Sequence, residues 1–318
     1  MAAKDPAPAR HSRPAMPTLS DAGQQALAAY ATHLRDEVDV RPATLRNYLS
    51  DLRQFVAWCE ATWSAGQESD VSFAPAAITT PLLTRYRAYS QRTLHLKPAS
   101  INRALISIKR YCAWAVEAGI LARDPAKVVK PVGQQTPAPR HLSDRDEEAL
   151  LAAAGIAGTL RDRTVIVVML HTGLRAGEVC GLSRIDVTLG KRSGSLRVTG
   201  KHNKEREVPL NATVRAALQE YLPSLPASVT TLFPSGKTGR ALSARALGHL
   251  IKRYAGLAHL VGVSPHDLRH RFGYRMAELV PLHRLAQIMG HDSLDTTMTY
   301  VQATRADLQD EVEKIAWA

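Results

Sequence analysis

Four patches in the second half of the sequence carry side chains that can bind anions, move protons or act as nucleophiles. Arginine and lysine bind anions, histidine exchanges protons near neutral pH, and tyrosine can react through its phenolic oxygen. The patches are HTGLRAGEVCGL (171–182), GKHNKEREVPL (200–210), SPHDLRHRFG (264–273) and IMGHDSLDTTMTYV (288–301).

Each patch taken alone also has an ordinary structural explanation. Arg175 and Glu178 are one helical turn apart, which favours an intrahelical ion pair. The basic side chains from Lys201 to Arg206 are typical of a solvated hairpin tip. Tyr300 on its own is typical of core packing. A single patch therefore identifies no site.

The third patch raises the question of a metal site. His266 and His270 are four residues apart, as in the helix of zinc proteases. Such a helix needs a glutamate after the first histidine, and Asp267 stands there, with no plausible third ligand nearby. We therefore expect no metal ion at these histidines.

The order of the reactive residues along the chain resembles that of the tyrosine recombinase (phage integrase) family, particularly its compact Xer-type members. The four patches look like the four catalytic boxes of that family, and LKPASINRALISIKRYCAWAVEAGILARDPAKVVKP (96–131) looks like the end of its core-binding domain. The resemblance covers nearly all of residues 20–310. One departure is Arg271, where the family often has threonine. The residues that match the catalytic set are Arg175, Lys201, His266, Arg269, His291 and Tyr300.

The resemblance implies that Tyr300 is the nucleophile and forms a 3′-phosphotyrosyl link with DNA. Cleaving a phosphodiester in this way passes through a pentavalent, doubly charged transition state, which needs fixed cationic donors. Arginine suits the non-bridging oxygens because its planar fork binds two of them, so Arg175 and Arg269 would form a clamp. We interpret the polar run before Tyr300 as a segment that moves the hydroxyl onto and off a phosphate.

The remaining residues of the set have implied supporting roles. His266 and His291 would donate to the same oxygens or accept the tyrosine proton. Lys201 would protonate the departing 5′-oxygen. Glu178 would orient the cluster. The phosphoester energy is kept in the covalent link, so no cofactor is expected.

The activity implied is site-specific DNA recombination through a Holliday junction. The partners would be double-stranded DNA and further recombinase subunits, forming a tetramer on two DNA sites from copies of this chain or with a paralogous recombinase. Two alternatives remain at this stage. One is a non-catalytic site-specific DNA-binding protein of the same fold, and the other is a type IB topoisomerase-like enzyme that relaxes strands.

Composition agrees with a nucleic-acid partner. The 318 residues contain 41 Lys plus Arg and 29 Asp plus Glu, a formal net charge of +12. This excess is spread along the chain without a basic block, as expected of a protein that contacts a polyanion over a large surface. The candidate DNA-contact residues are Arg46, Arg53, Arg103, Lys109, Arg110 and Lys204.

The cysteines and the apolar runs restrict the compartment. Cys59, Cys112 and Cys180 are widely spaced and suggest neither a disulfide framework nor a metal site. No run approaches the roughly 18 apolar residues of a membrane helix, and the N-terminal residues lack the apolar stretch of a secretory signal. We expect a cytoplasmic, nucleoid-associated protein without a membrane partner.

The elements that must hold these residues follow from the hydrophobic periodicity. Residues 19–123 predict a bundle of four or five helices, with caps at Ser20 and Thr80 and helix starts at Pro42 and Pro98. The resemblance implies that this bundle is a SAM-like, DNA-binding domain. We expect a flexible tail over residues 1–18.

The second half predicts a mixed domain. Residues 124–142 are proline-rich and read as a linker, after which Ser143 caps a new helix. Alternating apolar residues within 185–210 predict a small antiparallel sheet. The fold class is mainly α with this sheet in a C-terminal tyrosine-recombinase catalytic domain, residues 143–318. Its last helix, 304–318, is expected to dock onto a neighbouring subunit.

Overall fold

The computed structural model describes residues 16–38, 40, 42–65, 70–133, 140–200, 204–290 and 294–301. The chain divides into two compact units, residues 1–136 and 137–318, and each contains its own hydrophobic core. Most of the predicted N-terminal tail and the whole C-terminal docking helix lie outside the described residues.

The first unit is helical in its described part. Its helices are α1 (Asp21–Asp36), α2 (Pro42–Ser64), α3 (Thr80–Arg92) and α4 (Pro98–Glu117), with a 3-10 turn at Pro75–Ala77. Ser20 caps α1 as predicted, because its hydroxyl accepts from the Gly23 amide at 3.1 Å. Aromatic rings fill the core, where Phe55 meets Tyr86 edge-on at 5.1 Å between centroids.

The predicted cap of α3 was wrong by one residue. Thr79, rather than Thr80, is the N-cap, and its hydroxyl accepts from the Leu82 amide at 3.3 Å. The Thr80 hydroxyl instead donates to the Pro125 carbonyl at 2.7 Å. Two adjacent threonines can both cap a helix, so only a tertiary contact distinguishes them.

The second unit combines helices with one sheet. Its helices are α5 (Asp144–Ala157), α6 (Leu160–Thr172), α7 (Ala176–Gly181), α8 (Ala212–Tyr221), α9 (Ala244–Leu257), α10 (Pro265–Ala277), α11 (Leu282–Met289) and α12 (Leu294–Val301). The strands β1 (Val187–Leu189), β2 (Gly194–Thr199) and β3 (Glu205–Pro209) form an antiparallel sheet in the order β1-β2-β3. The predicted fold class, mainly α with a small antiparallel sheet, is confirmed.

A buried ion-pair cluster fixes α10 against α5. Arg271 donates through Nε to Glu147 at 2.8 Å and also contacts Asp144, and Arg275 reaches Glu147 at 3.3 Å. Arg271 is 4% exposed and Glu147 is 7% exposed. The arginine that departs from the family pattern therefore anchors the helix that carries two of the predicted catalytic residues, His266 and Arg269.

Within the described residues, the structure contains no helix that is long and apolar enough to cross a membrane.

Candidate active site

Arg175 owes its place to the turn between α6 and α7. Helix α6 ends at Gly173, whose φ of 62° is left-handed, and an added Cβ there would lie 2.3 Å from the Phe272 ring. The glycine therefore permits both the turn and the close approach of α10. Arg175 is then the N-cap of α7, with its side chain 36% exposed.

The predicted pair of Arg175 and Glu178 is present. The Glu178 carboxylate accepts from the Arg175 amide at 2.8 Å and from its Nη1 at 3.0 Å. The Glu178 pKa is lowered, since the hydrogen bonds and charges of Arg206 and Arg175 outweigh the burial that opposes them. Glu178 is therefore an ionised residue that orients the arginine beside it.

Arg269 lies deep in the unit on α10, only 2% exposed. It donates to the Gly173 carbonyl and, at 3.0 Å, to the Met289 carbonyl. Burial, assisted by the nearby Arg175 charge, lowers the Arg269 pKa to about 10. Arg269 is still cationic at neutral pH, and a bound anion would stabilise its charge.

The two arginines meet at one segment of main chain. Arg269 donates to the carbonyl of Met289, and Arg175 donates through Nη2 to the carbonyl of Gly290 at 2.9 Å. Gly290 closes α11 with a left-handed φ of 64°. The C-terminal end of α11 thus fixes two guanidinium groups close together.

Two histidines lie on the same helix as Arg269. The rings of His266 and His270 pack edge to face with 4.3 Å between centroids. His266 is at the exposed rim, where partial burial and the Arg269 charge lower its pKa. Burial lowers the His270 pKa to about 4, assisted by His266. Both imidazoles are therefore neutral at pH 7.

Tyr300 is buried on α12 and is only 2% exposed. Its hydroxyl oxygen lies 3.1 Å from Nδ1 of His270, and the two groups share a hydrogen bond. The ring packs edge to face on Tyr274 and covers Gly273, where an added Cβ would lie 2.4 Å from Cζ of Tyr300. From Leu294 onward the polar run before Tyr300 is helical, and Thr297 within it is fully buried.

The electrostatics of Tyr300 combine two opposing effects. Burial raises the pKa of its hydroxyl, whereas the positive charges of Arg269 and Arg175 lower it. The net shift is upward, so the tyrosine is neutral at pH 7. It can react only if a base takes its proton.

Sequence reasoning missed two contributors to this cluster, His270 and Arg206. His270 was considered only as a metal ligand, although it contacts the Tyr300 hydroxyl. Arg206 was assigned to a solvated hairpin, but it lies on β3 with its side chain 18% exposed and pairs with Glu178. The only available signal for Arg206 was that the buried carboxylate of Glu178 needs a second cationic partner besides Arg175.

Two predicted catalytic residues, Lys201 and His291, lie outside the described residues. Lys204 is exposed, and its carbonyl accepts from the Gly200 amide. Among the residues the structure describes, no three His, Cys, Asp or Glu side chains are grouped to hold a metal ion.

The candidate DNA-contact residues of the first unit lie on α2 and α4. The Arg103 guanidinium binds Asp51 at 2.7 and 3.1 Å, and Arg110 lies over the Tyr48 ring at 5.3 Å. Arg46 is exposed, whereas Lys109 is half-buried. Arg53 is also half-buried and donates to the Pro17 carbonyl.

The chain combines a helical unit with a second unit in which two arginines, two histidines and a tyrosine are brought together. Comparison with family models identifies the class of protein that has these two parts. The phage integrase family model matches residues 140–307, and the N-terminal SAM-like domain of phage integrases matches residues 27–119. The chain belongs to the phage integrase family, so the predicted membership is confirmed.

Curated relatives match along most of the chain. Tyrosine recombinase XerC of Pelobacter propionicus is 31% identical over 294 residues, covering 91% of this chain and 94% of the relative. Tyrosine recombinase XerD of Xanthomonas campestris is 31% identical over 328 residues, covering 97% of each. XerD of Pseudomonas aeruginosa is 33% identical and covers 84% of this chain and 89% of the relative.

Solved structures share the fold. XerH site-specific recombinase bound to difH substrate has a TM-score of 0.70 at 21% identity, covering 92% of this chain and 84% of that one. A lambda integrase (75–356) dimer bound to a COC′ core site has a TM-score of 0.69 at 16% identity, covering 89% and 96%. At these identities the likeness establishes the fold.

Proposed function

We propose that this protein is a tyrosine-type site-specific DNA recombinase that cuts and rejoins strands through a 3′-phosphotyrosyl intermediate and a Holliday junction. The observation that carries the proposal is the convergence of Arg175 and Arg269 on adjacent carbonyls, in the unit where Tyr300 bonds to His270. Two fixed cations and a tyrosine are the parts that metal-free phosphodiester cleavage requires.

The Tyr300 oxygen attacks the scissile phosphorus while the bond from phosphorus to the 5′-oxygen breaks. The tyrosine proton passes to an imidazole, for which His266 and His291 are the candidates, and Lys201 supplies a proton to the departing 5′-oxygen. The free 5′-hydroxyl of the partner strand reverses these steps when it attacks the phosphotyrosine.

Arg175 and Arg269 would stabilise the charge that develops on the non-bridging oxygens. Removing one preorganised donor of this kind commonly costs about 3–4 kcal/mol of transition-state stabilisation. The low exposure of Arg269 supports this role, because a buried guanidinium that is already oriented by two carbonyls needs little reorganisation.

The first unit would bind duplex DNA through α2 and α4. The exposed stripe of α4 includes Arg103, Ile106 and Arg110, with Ala99 and Ala113 towards its ends. Asp51 holds Arg103, and Tyr48 supports Arg110, so both cations are presented in fixed directions. Basic side chains contact phosphates, and an apolar side chain between them can contact a thymine methyl group.

We propose the same domain bounds as those predicted from the sequence. Residues 19–123 would form the DNA-binding domain, 124–142 the linker and 143–318 the catalytic domain. Recombination of two sites requires four active subunits, so we propose a tetramer on two DNA sites, made of this chain alone or with a paralogous recombinase. Its place of action would be the nucleoid in the cytoplasm.

A Tyr300→Phe variant tests the proposed function. On a cognate site it should bind DNA as the wild type does but form no protein–DNA adduct resistant to SDS. An adduct formed by the phenylalanine variant would exclude Tyr300 as the nucleophile. Relaxation of plasmids without joining of partner strands would favour a topoisomerase instead.

A further inference from the structure

We propose that Arg206 is a positioning residue for strand cleavage, holding Glu178 and the end of α11 so that Arg175 stays available to a phosphate. The proposal rests on the proposed function, since it assigns Arg206 to the same reaction. It adds a residue that acts through a second arginine, Arg175.

The first observation is the saturation of the Glu178 carboxylate. Oε1 accepts from Nη1 of Arg175 and from Nη1 of Arg206, both at 3.0 Å. Oε2 accepts from the Arg175 amide at 2.8 Å and from Nη2 of Arg206 at 3.0 Å. A carboxylate offers about four acceptor positions, so two arginines share one negative charge here.

This sharing of one negative charge determines how strongly Arg175 can bind a substrate phosphate. If Arg206 were absent, half of the acceptor positions of a side chain only 7% exposed would lose their donors. Glu178 would then draw Arg175 towards itself and neutralise it, because an unpaired buried carboxylate is costly. A neutralised Arg175 would compete poorly for a phosphate oxygen.

The second observation is that Arg206 also contacts the segment that fixes the two clamp arginines. It donates through Nε to the Ile288 carbonyl and through Nη2 to the Met289 carbonyl, each at 3.4 Å. An added Cβ at Gly290 would lie 2.7 Å from Cζ of Arg206. Three guanidinium groups therefore meet the last turn of α11, and Arg206 carries this contact to strand β3.

Arg197 provides a matched comparison on the neighbouring strand. Like Arg206 it binds a carboxylate, donating through Nε and Nη2 to Oδ1 of Asp186 at 3.2 and 3.1 Å, but its side chain is 52% exposed. Strand β2 pairs Arg197 with Glu207, next to Arg206. Replacing Arg197 thus removes an arginine and an ion pair from the same sheet without touching Glu178.

The test compares full-length wild type with Arg206→Ala, Arg206→Gln, Arg206→Lys and Arg197→Ala. Each protein is assayed for thermal unfolding, for DNA affinity, and for the rate of adduct formation at saturating DNA. The cognate site carries either a normal scissile phosphate or an uncharged methylphosphonate. The neutral substrate removes the negative charge that Arg175 would stabilise.

We expect Arg206→Ala and Arg206→Gln to bind DNA normally and to lose about 30-fold in cleavage of the charged phosphate, less than the roughly 100-fold or more for a directly lost oxyanion donor. On the methylphosphonate their rates should approach wild type. Arg206→Lys should recover part of the loss, and Arg197→Ala should match wild type on both substrates.

Two results would overturn the proposal. One is normal cleavage by Arg206→Ala or, if that variant unfolds, by Arg206→Gln. The other is an equal loss on both substrates, which would indicate a structural role only. If the wild type itself forms no adduct, it is the proposed function that fails. If the wild type forms the adduct and only the Arg206 variants depart from expectation, the function stands and the role of Arg206 fails.

Discussion

The hydroxyl of Tyr300 and the Nδ1 of His270 share a hydrogen bond of 3.1 Å inside the second unit. Tyr300 is on α12 and His270 is on α10, one residue after Arg269. The helix that carries Arg269, the proposed phosphate-binding arginine, therefore also carries the hydrogen-bond partner of the proposed nucleophile.

Replacing His270 should slow cleavage through the position of Tyr300. We expect His270→Ala to reduce adduct formation about tenfold, in proportion to the loss of one hydrogen bond at the reacting oxygen. His270→Asn should retain most activity, because its amide occupies the place of Nδ1. The measurement is a single-turnover adduct assay, and a fully active alanine variant would refute the role.

Adding a methyl group at Gly273 should displace the nucleophile. Its Cβ would lie 2.4 Å from the Tyr300 ring, closer than real contacts allow. We expect Gly273→Ala to lower the free energy of unfolding by about 1–3 kcal/mol, as overpacking usually does, and to lower the adduct yield at least about tenfold.

Gly248→Ala is the control for this change. Gly248 is in helix α9, and an added Cβ there would meet no atom within 4 Å. This variant should be fully active and up to about 1 kcal/mol more stable, because alanine has the higher helix propensity. Equal behaviour of the two alanine variants would contradict the packing argument.

The stability of the second unit should fall in mild acid. The pKa of His270 is about 4 in the folded protein, compared with an ordinary value of 6.5 for histidine. The unfolded chain therefore binds more protons between these values, and stability is lost as the pH falls from about 6.5 towards 4. Denaturant unfolding at several pH values should show this, with a shallower dependence in His270→Asn.

Breaking the buried cluster between α5 and α10 should destabilise the protein strongly. Glu147→Ala would leave Arg271, which is 4% exposed, with Asp144 as its remaining carboxylate partner. Removing one member of a buried pair costs about 3–5 kcal/mol. Urea unfolding measures the loss, and a change below about 1 kcal/mol, the value for a surface pair, would contradict it.

Arg103 should contribute to DNA affinity rather than to cleavage. We expect Arg103→Ala to weaken binding and to reduce the slope of log affinity against log salt by about one, as for one lost phosphate contact. Cleavage at saturating DNA should be unchanged. Arg163→Ala is the control, because Arg163 forms an exposed pair with Glu220 at 3.8 Å. An unchanged salt slope would exclude a phosphate contact at Arg103.

The sequence alone determined the elements and the order of the reactive residues. Local rules suffice for a cap such as Ser143, for a helix start such as Pro265, and for the alternation that produced the three strands, because each depends on neighbours a few residues apart. The family resemblance likewise depended on residues read in chain order.

Only the tertiary structure decided the partners of those residues. Arg206 reaches Glu178 across 28 positions and Ile288 across 82, and His270 reaches Tyr300 across 30. Sequence spacing predicts contacts within one element, whereas these depend on how five elements pack together, namely α7, α10, α11, α12 and β3. Buried carboxylates and hydroxyls are in the large majority hydrogen-bonded, but only packing selects which side chain provides the bond.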